Sequence, residues 1–383
     1  MSSPLDDQPS DPHLADPAPT TTPPTRAATR RTALAGAAGA GAILALTGLA
    51  AGPRPARLGD VHGDAELAAA LRPHLGGHRH VSAVVSDGGQ QRFAGFGADE
   101  TTEFEIGSVT KTFTGALLAV AVEEGELELT TTVGEILGEQ AGTSALSGTT
   151  LAALASHTSG LPRLALTSAA GAVLRTLLRK DPYLGVDADR LVADALAAPL
   201  SEPGTAVYSN LGVALLGQLL ARAAGTDYAS LLSTRILRPL QLSATAAAIS
   251  PNHLPADAPR GRGASGLPQA PWTMDGSAPA GGIRSTATDM VAYLTATMDG
   301  SAPGASAPEV QHTDPDGRRT ALCWMIEDLG GGSPVTWHNG GTGGFSSFVG
   351  WNPEARRGVV LLADSARSLD DLGAVILNGE VAA

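Results

Sequence analysis

Strand-like segments occur near both ends of this chain and are nearly absent from its middle. Near the N-terminus, 81–86 and 92–96 predict a β-hairpin across Asp87-Gly88-Gly89. Four more strand-like segments, separated by Gly, Asp, Asn and Pro turns, lie near the C-terminus at 320–326, 335–337, 345–351 and 358–362. Between them, from about 129 to 270, apolar residues recur at helical spacing. The pattern predicts an α+β fold, in which one antiparallel sheet is built from both ends, flanked by helices, and accompanied by an all-helical lobe.

The segments before this domain predict export. Residues 1–28 are rich in Pro, Asp, Ser and Thr and predict a disordered tail. Residues 29–52 contain an Arg pair, Arg30-Arg31, followed by an apolar Gly/Ala-rich stretch. This stretch resembles a twin-arginine export signal, although its length would also serve as a membrane anchor through 32–52. Residues 53–60 predict a linker and 61–383 the folded domain, located in the cell envelope or outside the cell.

Composition excludes several classes of function. The net charge of −13 argues against nucleic acid as a partner, because phosphate binding needs a basic face. The single cysteine, Cys323, excludes an internal disulfide and predicts a buried, inert thiol within an apolar run. Four histidines cluster in a Gly-rich segment that is predicted to be an exposed turn: His62, His74, His78 and His80. No further ligand-spaced group accompanies them, so no metal and no cofactor are expected. The protein is also expected to be a monomer.

One short motif, Ser108-Val109-Thr110-Lys111, carries the strongest chemical signal. Gly107 precedes it, and apolar residues then recur at helical spacing, which predicts that Ser108 lies at or next to the start of a helix that runs to about Glu124. Positions i and i+3 share a helix face, so the Lys111 amine can lie against the Ser108 hydroxyl. A nearby amine with a lowered pKa can take the proton of a Ser nucleophile.

The alternative interpretation of this motif is structural: a helix-capping Ser followed by a surface Lys. Composition favours chemistry, because the chain has only two lysines, Lys111 and Lys180, among 25 basic residues. Arg stays protonated in proteins, whereas a buried Lys can lose its proton. Lys at position 111 in so Arg-biased a chain indicates a role that Arg cannot fill.

Two further segments supply candidate site residues. Tyr208 could pass protons if a cation lowers its pKa, and Asn210 could hold a substrate carbonyl or steady a Lys amine. Each also fits a turn Tyr followed by a helix-capping Asn. Residues 337–345 contain His338 and four glycines, which would let a ligand lie along a strand edge. The same residues also fit a flexible hairpin turn.

The order of these motifs, Ser-x-x-Lys, then Tyr-x-Asn, then His-x-Gly, resembles the serine β-lactamase and penicillin-binding-protein superfamily. The closest likeness is to the branch of class C β-lactamases, D-Ala-D-Ala carboxypeptidases and related esterases. Three other stretches match family patterns: 154–162, 237–240 and 280–286. The resemblance covers roughly residues 65–378 and implies a β-lactamase/transpeptidase-like fold. The chain has no G-x-S-x-G motif, which argues against an α/β-hydrolase.

The resemblance also implies a role for each candidate residue. Ser108 would be the acylated nucleophile, with Lys111 and Tyr208 relaying its proton. The N–H groups of Ser108 and Gly341 would form the oxyanion hole. The residues implied in substrate binding are Asn210, His338, Gly340, Gly341 and Thr342. Many members have Lys where this chain has His338; a protonated His338 is therefore expected to hold a substrate carboxylate, less firmly than Lys.

The implied function is a serine hydrolase that acts through an acyl-enzyme on a small molecule or a peptidoglycan-derived peptide. D-Ala-D-Ala peptides, β-lactams and carboxylic esters remain open as substrates. A second class of function is a penicillin-binding sensor that is acylated without turnover.

Overall fold

A computed structural model of the protein describes residues 56–254 and 259–381. The predicted tail (1–28) and export segment (29–52) lie outside these residues, as do positions 53–55 of the predicted linker. Within the described ranges, no helix combines the length and the apolar character needed to cross a membrane.

The helices and strands of the described residues follow in chain order. The helices are α1 Ala65–Leu71, α2 Thr110–Glu123, α3 Val133–Leu137, α4 Leu151–Ala155, α5 Leu166–Leu177, α6 Ala188–Leu196, α7 Asn210–Ala223, α8 Tyr228–Leu232, α9 Ala278–Gly281, α10 Ala287–Asp299 and α11 Asp370–Leu377. The strands are β1 Val61–Gly63, β2 Val81–Asp87, β3 Gln90–Phe96, β4 Phe104–Glu105, β5 Ala246–Ala247, β6 Ile283–Ser285, β7 His312–Thr313, β8 Arg319–Thr320, β9 Met325–Asp328, β10 Pro334–Gly341, β11 Ser346–Asn352 and β12 Arg357–Ala363.

One antiparallel sheet joins the two ends of the domain, as the sequence predicts. Its strand order within the described residues is β1-β3-β2-β12-β11-β10-β9-β8-β7. The predicted hairpin is present: β2 pairs with β3 across Gly88 and Gly89, whose φ angles of 57° and 94° suit a tight two-residue turn. The C-terminal strand β12 lies on the other side of β2, with Val81 opposite Ala363.

Strand β12 contains a continuous apolar run because helices pack on both faces of the sheet. Gly358 faces Met298 of α10. On the neighbouring strand, Phe348 contacts Gly373 of α11. The register pairs Phe348 with Leu361, three positions from Gly358, so the two helices lie on opposite faces. A strand buried on both faces reads as a continuous apolar run.

The predicted helical lobe, about 129–270, contains α3 to α8 and the short strand β5. Its central helix α7 is buried along most of its length, including 211–221, and packs against α2 and α9. A helix that is apolar all round must be enclosed by other elements. The buried helices α2 and α7 therefore join the lobe to the rest of the domain.

Two predicted strand boundaries near the C-terminus are wrong. The segment 320–326 is not one strand, because β8 ends at Thr320 and β9 begins at Met325. Between them Cys323 adopts a left-handed φ of 61° and donates its N–H to the Ala155 carbonyl. Its thiol is buried, as predicted, and burial raises its pKa to about 12. The second strand, predicted to end at Trp337, continues as β10 through Gly341.

Candidate active site

The candidate nucleophile lies in a single 3₁₀ turn, Gly107–Val109, that connects β4 to α2. Ser108 is half-buried, and the helix begins at Thr110, which confirms the predicted helix start. Position 107 requires a glycine for two reasons. Its φ is 49°, and a Cβ there would lie 2.7 Å from the backbone nitrogen of Gly341. The turn is thus packed directly against the end of β10.

Lys111 lies one helical turn further on and is fully buried. Its Nζ is 2.9 Å from the Ser108 Oγ and also donates to the Ala280 carbonyl on α9. The predicted contact between hydroxyl and amine is therefore confirmed. Burial lowers the pKa of Lys111 to about 7, and the charge of Arg163 acts in the same direction. A large fraction of the amine is neutral at pH 7 and able to accept a proton.

Tyr208 closes over this pair. The Lys111 Nζ lies 5.1 Å from the centre of its ring, and the Arg163 guanidinium carbon lies 5.2 Å from it. Burial raises the pKa of Tyr208 above its ordinary value, and this outweighs the opposing effects of the Ser108 hydroxyl and Arg163. The condition considered for Tyr208, a pKa lowered by a cation, is therefore not met: Arg163 acts in that direction, but burial has the larger effect. Tyr208 remains a neutral phenol, which can both donate and accept a hydrogen bond.

Asn210 is the first residue of α7, and it does not cap the helix. Ser209 caps it, by accepting from the Gly212 N–H at 2.9 Å and donating to the Pro162 carbonyl at 2.8 Å. The Asn210 side chain is thereby left for other contacts. Its Oδ1 is buried and has no hydrogen-bond partner in the described part of the chain. This oxygen can accept a ligand N–H.

The end of β10 presents an open backbone edge. The N–H of Thr342 donates to the Phe345 carbonyl, which makes these residues a hydrogen-bonded pair. Because bonded and non-bonded pairs alternate in an antiparallel ladder, the N–H of Gly341 points away from β11. On that other side, among the described residues, β9 pairs with β10 only as far as Trp337. The Gly341 N–H is therefore free beside the nucleophile turn, as an oxyanion donor requires.

Gly340 allows β10 to approach the nucleophile turn closely. A Cβ at Gly340 would lie 2.0 Å from the Ile106 carbonyl oxygen and 2.3 Å from the Ser347 Oγ, whereas one at Gly341 would meet nothing within 4 Å.

We expect Gly340→Ala to lower the free energy of unfolding by about 1–3 kcal/mol and to reduce activity, because an added methyl group forces strand β10 away from the nucleophile turn. Gly341→Ala, the matched control, should leave the melting temperature unchanged. Equal melting temperatures for the two variants would contradict this account.

His338 is buried on β10, behind Tyr208, with the two ring centres 6.1 Å apart. Its Nδ1 lies 2.6 Å from the Asn339 carbonyl oxygen, and its Nε2 has no hydrogen-bond partner in the described residues. Burial and, to a smaller extent, the charge of Lys111 together lower the pKa of His338 to about 3. The expectation of a protonated, carboxylate-binding His338 is therefore wrong at neutral pH.

Thr342 holds the turn after β10. Its hydroxyl accepts from the N–H groups of Gly344 at 3.4 Å and Phe345 at 3.2 Å. The side chain is buried and is occupied with the turn. The structure thus brings Ser108, Lys111, Tyr208, His338, Gly340 and Gly341 into one cluster, with Thr342 supporting its edge. Asn210 follows Tyr208 by two residues at the start of α7.

A family model described as Beta-lactamase matches residues 67–381, which is most of the chain. The protein belongs to the β-lactamase family. It is 26% identical over 304 residues to a β-lactamase of Escherichia coli K12, covering 69% of this chain and 76% of that protein. It is 30% identical over 228 residues to the D-alanyl-D-alanine-carboxypeptidase/endopeptidase AmpH of the same organism, covering 56% of each.

Solved structures of this family share the fold. A class C β-lactamase from Rhodobacter sphaeroides matches with a TM-score of 0.69 at 23% identity, over 82% of this chain and 98% of that chain. A β-lactamase/D-alanine carboxypeptidase from Pseudomonas syringae matches with a TM-score of 0.70 at 18% identity, over 83% and 98%. The predicted superfamily, branch and fold class are confirmed.

Sequence reasoning missed two residues that contact Tyr208 in this β-lactamase-family site. The His157 ring lies 4.5 Å from the Tyr208 ring, and its Nδ1 accepts from the Ser209 N–H at 3.3 Å. Burial lowers the pKa of His157 well below its ordinary value, so it too is neutral. Arg163 lies on the same phenol. His157 falls in the stretch 154–162, which matches a family pattern in the sequence. That match indicated that the stretch matters but assigned no role to His157.

A buried ion pair also supports the site and was not predicted. Glu105 precedes Ser108 by three residues and accepts from Arg284 at 3.0 Å and from the Trp272 N–H at 2.9 Å. Burial raises the pKa of Glu105, and the charge of Arg284 opposes that rise. Arg284 also lies over the Phe345 ring. The pair therefore connects β4 to the turn that follows β10.

The four clustered histidines do not all occupy an exposed turn. His78 is buried, with its Nδ1 2.6 Å from the Ser365 Oγ, and the His80 Nδ1 lies 2.6 Å from an Asp364 carboxylate oxygen. Burial lowers the pKa of His78 to about 4. Among the described residues, no group of three His, Cys, Asp or Glu side chains is arranged to hold a metal ion.

Proposed function

We propose that the protein is an exported serine hydrolase that forms an acyl-enzyme on Ser108. The single observation that carries the proposal is the 2.9 Å contact between the Ser108 Oγ and the buried Lys111 amine, whose pKa is about 7. The relatives named as β-lactamases and D-Ala-D-Ala carboxypeptidases support D-Ala-D-Ala peptides or β-lactams as substrates.

In the proposed reaction, neutral Lys111 accepts the Ser108 proton while Oγ attacks the substrate carbonyl carbon. The negative charge that develops on the carbonyl oxygen is stabilised by the N–H groups of Ser108 and Gly341. Neutral Tyr208 passes a proton to the leaving amine or alkoxide and is reprotonated from Lys111. Water then attacks the ester by the reverse proton path and releases the acid.

The site also offers contacts to the rest of a peptide-like substrate. The unpartnered Oδ1 of Asn210 would accept an amide N–H of the substrate. The open edge of β10 would pair with the extended substrate backbone, as an added strand does. Glycines at 340 and 341 keep side chains out of that edge.

A second candidate within the same chemistry is a carboxylic esterase, and His338 favours it. An imidazole with a pKa of about 3 carries no charge at neutral pH and offers no ionic contact to a substrate carboxylate. A neutral ester has no carboxylate, so its binding does not depend on a charged side chain at position 338.

The two substrate classes should show parallel pH profiles in the wild-type enzyme. Between pH 5 and 8, kcat/KM for a D-Ala-D-Ala peptide and for p-nitrophenyl butyrate should change together, because His338 stays neutral throughout. His338→Lys should raise the peptide-to-ester ratio about tenfold, since a hydrogen bond to a charged group contributes about 1.5–3 kcal/mol. His338→Gln is the neutral control. A wild-type ratio that falls between pH 6 and 7 would show that a charged His338 reads the carboxylate.

The proposed location is the cell envelope or the extracellular space, reached through residues 29–52 as a cleaved signal or a retained anchor. Processing can be read from the N-terminal sequence of the protein purified from its natural host fraction. A monomer in solution is proposed as the working form.

The function is tested with a substrate panel and mass spectrometry. The panel contains nitrocefin, a D-Ala-D-Ala peptide and p-nitrophenyl butyrate. Turnover of at least one compound, with a transient mass increase on the peptide containing Ser108, is the expected result. A stable adduct with every compound and no product release would instead indicate a sensor. The absence of any Ser108 adduct would refute the acyl-enzyme.

A further inference from the structure

The outer side of α5 carries an exposed apolar stripe. Val173, Leu174, Leu177 and Leu178 have exposed fractions of 45%, 57%, 54% and 57%. Residues four apart lie above one another on a helix, so 173 with 177, and 174 with 178, form one continuous band, the α5 stripe. Eight large hydrophobic residues of the described ranges are exposed, and half of them are in this band. Single exposed leucines need no explanation, whereas a contiguous group indicates a contact surface.

The α5 stripe is accompanied by positive charge in an acidic protein. Residues 140–180 contain four Arg or Lys and no Asp or Glu, although the whole chain carries a net charge of −13. Three of the four cations, Arg175, Arg179 and Lys180, adjoin the stripe. None of the three forms an ion pair with a carboxylate elsewhere in the described structure, and Arg179 and Lys180 are exposed. The carboxylate that follows, Asp181, is buried and bound to Thr273.

We propose that the α5 stripe and its three cations dock the protein on an anionic phospholipid bilayer. Leucines that enter the interface leave water, while Arg and Lys at the same depth meet lipid phosphates. A second copy of this chain is a poorer occupant, because a two-fold contact would place like charges against each other. An anionic bilayer satisfies the apolar and the charged residues together.

The position of α5 relates docking to the active site. The helix begins three residues after Arg163, which lies against the Tyr208 ring. At a rise of 1.5 Å per residue, the α5 stripe lies roughly 10–20 Å along the helix from the first residue of α5. Docking would therefore hold the active site near the lipid surface.

The test uses the full chain and hydrogen–deuterium exchange, because exchange reports on residues 173–180 separately from any effect of residues 29–52. With phosphatidylglycerol vesicles, exchange in this segment should slow by about threefold or more. Phosphatidylcholine vesicles should have little effect, and 0.5 M NaCl should weaken the protection, because exposed charges are screened at about that ionic strength.

Variants assign the effect to the stripe. Leu174→Ser with Leu178→Ser should remove the protection, and Arg179→Gln with Lys180→Gln should remove the preference for anionic lipid. The matched control is Val310→Ser, which changes another exposed apolar residue outside the stripe. All three proteins should keep the wild-type melting temperature and hydrolyse a soluble substrate normally, so this proposal and the proposed function fail separately.

Three outcomes would overturn the proposal. One is unchanged exchange at 173–180 with phosphatidylglycerol vesicles. Another is protection that survives the double leucine variant. The third is protection without vesicles that grows with protein concentration, which would assign the stripe to a second copy of the chain.

Discussion

Ser108→Ala should abolish hydrolysis of every substrate while leaving the fold intact. Removing the nucleophile of a Ser-dependent hydrolase typically lowers kcat by several orders of magnitude, and we expect a loss of at least about 10⁴-fold here. The fold should survive because Ser108 is only half-buried and Lys111 keeps its contact with the Ala280 carbonyl. The measurement is kcat/KM for the best substrate, with the melting temperature recorded in parallel.

The matched control is Ser230→Ala, an exposed Ser near the start of α8 whose side chain hydrogen-bonds only to Asp227 among the described residues. It should keep full activity. Mass spectrometry should also show no acyl adduct on Ser108→Ala. Residual turnover above about one per cent, in protein shown to be free of contaminating enzyme, would rule out Ser108 as the nucleophile.

Lys111→Arg should be nearly as damaging, with a loss of about 10³-fold or more. Arg keeps the positive charge but remains protonated, so it cannot accept the Ser108 proton. Lys111→Met fills a similar volume without charge and should lose as much activity while keeping the fold. Lys180→Arg makes the same exchange at the chain's other lysine, which is exposed, and should be silent.

The pH profile supplies an independent test of Lys111. Its pKa of about 7 means that the amine is protonated below that pH and neutral above it. Wild-type kcat/KM should therefore rise with pH through about 7 and fall about tenfold for each unit below it, because only the neutral amine accepts a proton. If Lys111→Arg kept more than a tenth of wild-type activity, or the profile were flat from pH 5 to 8, Lys111 would act as a charge or a packing group.

The sequence by itself determined the features that depend on local spacing. Ser108 and Lys111 lie three residues apart at a helix start, so one helical turn is enough to bring their side chains together. The hairpin at Gly88 and Gly89 follows from the backbone freedom of glycine. Continuous apolar runs marked the buried strands and helices, and the order of motifs identified the family.

Only the tertiary structure decided the charge states of the site, because desolvation depends on what packs around a group. The same burial lowers the pKa of Lys111 toward neutrality, lowers that of His338 to about 3, and raises that of Tyr208. The effect on His338 reverses the expectation of a protonated imidazole. Arg163 and Arg284 reach the site through contacts between segments far apart in the chain, and no periodicity in the sequence records such contacts. Local geometry was thus readable from the chain, whereas proton affinity required knowing which distant residues exclude water from each side chain.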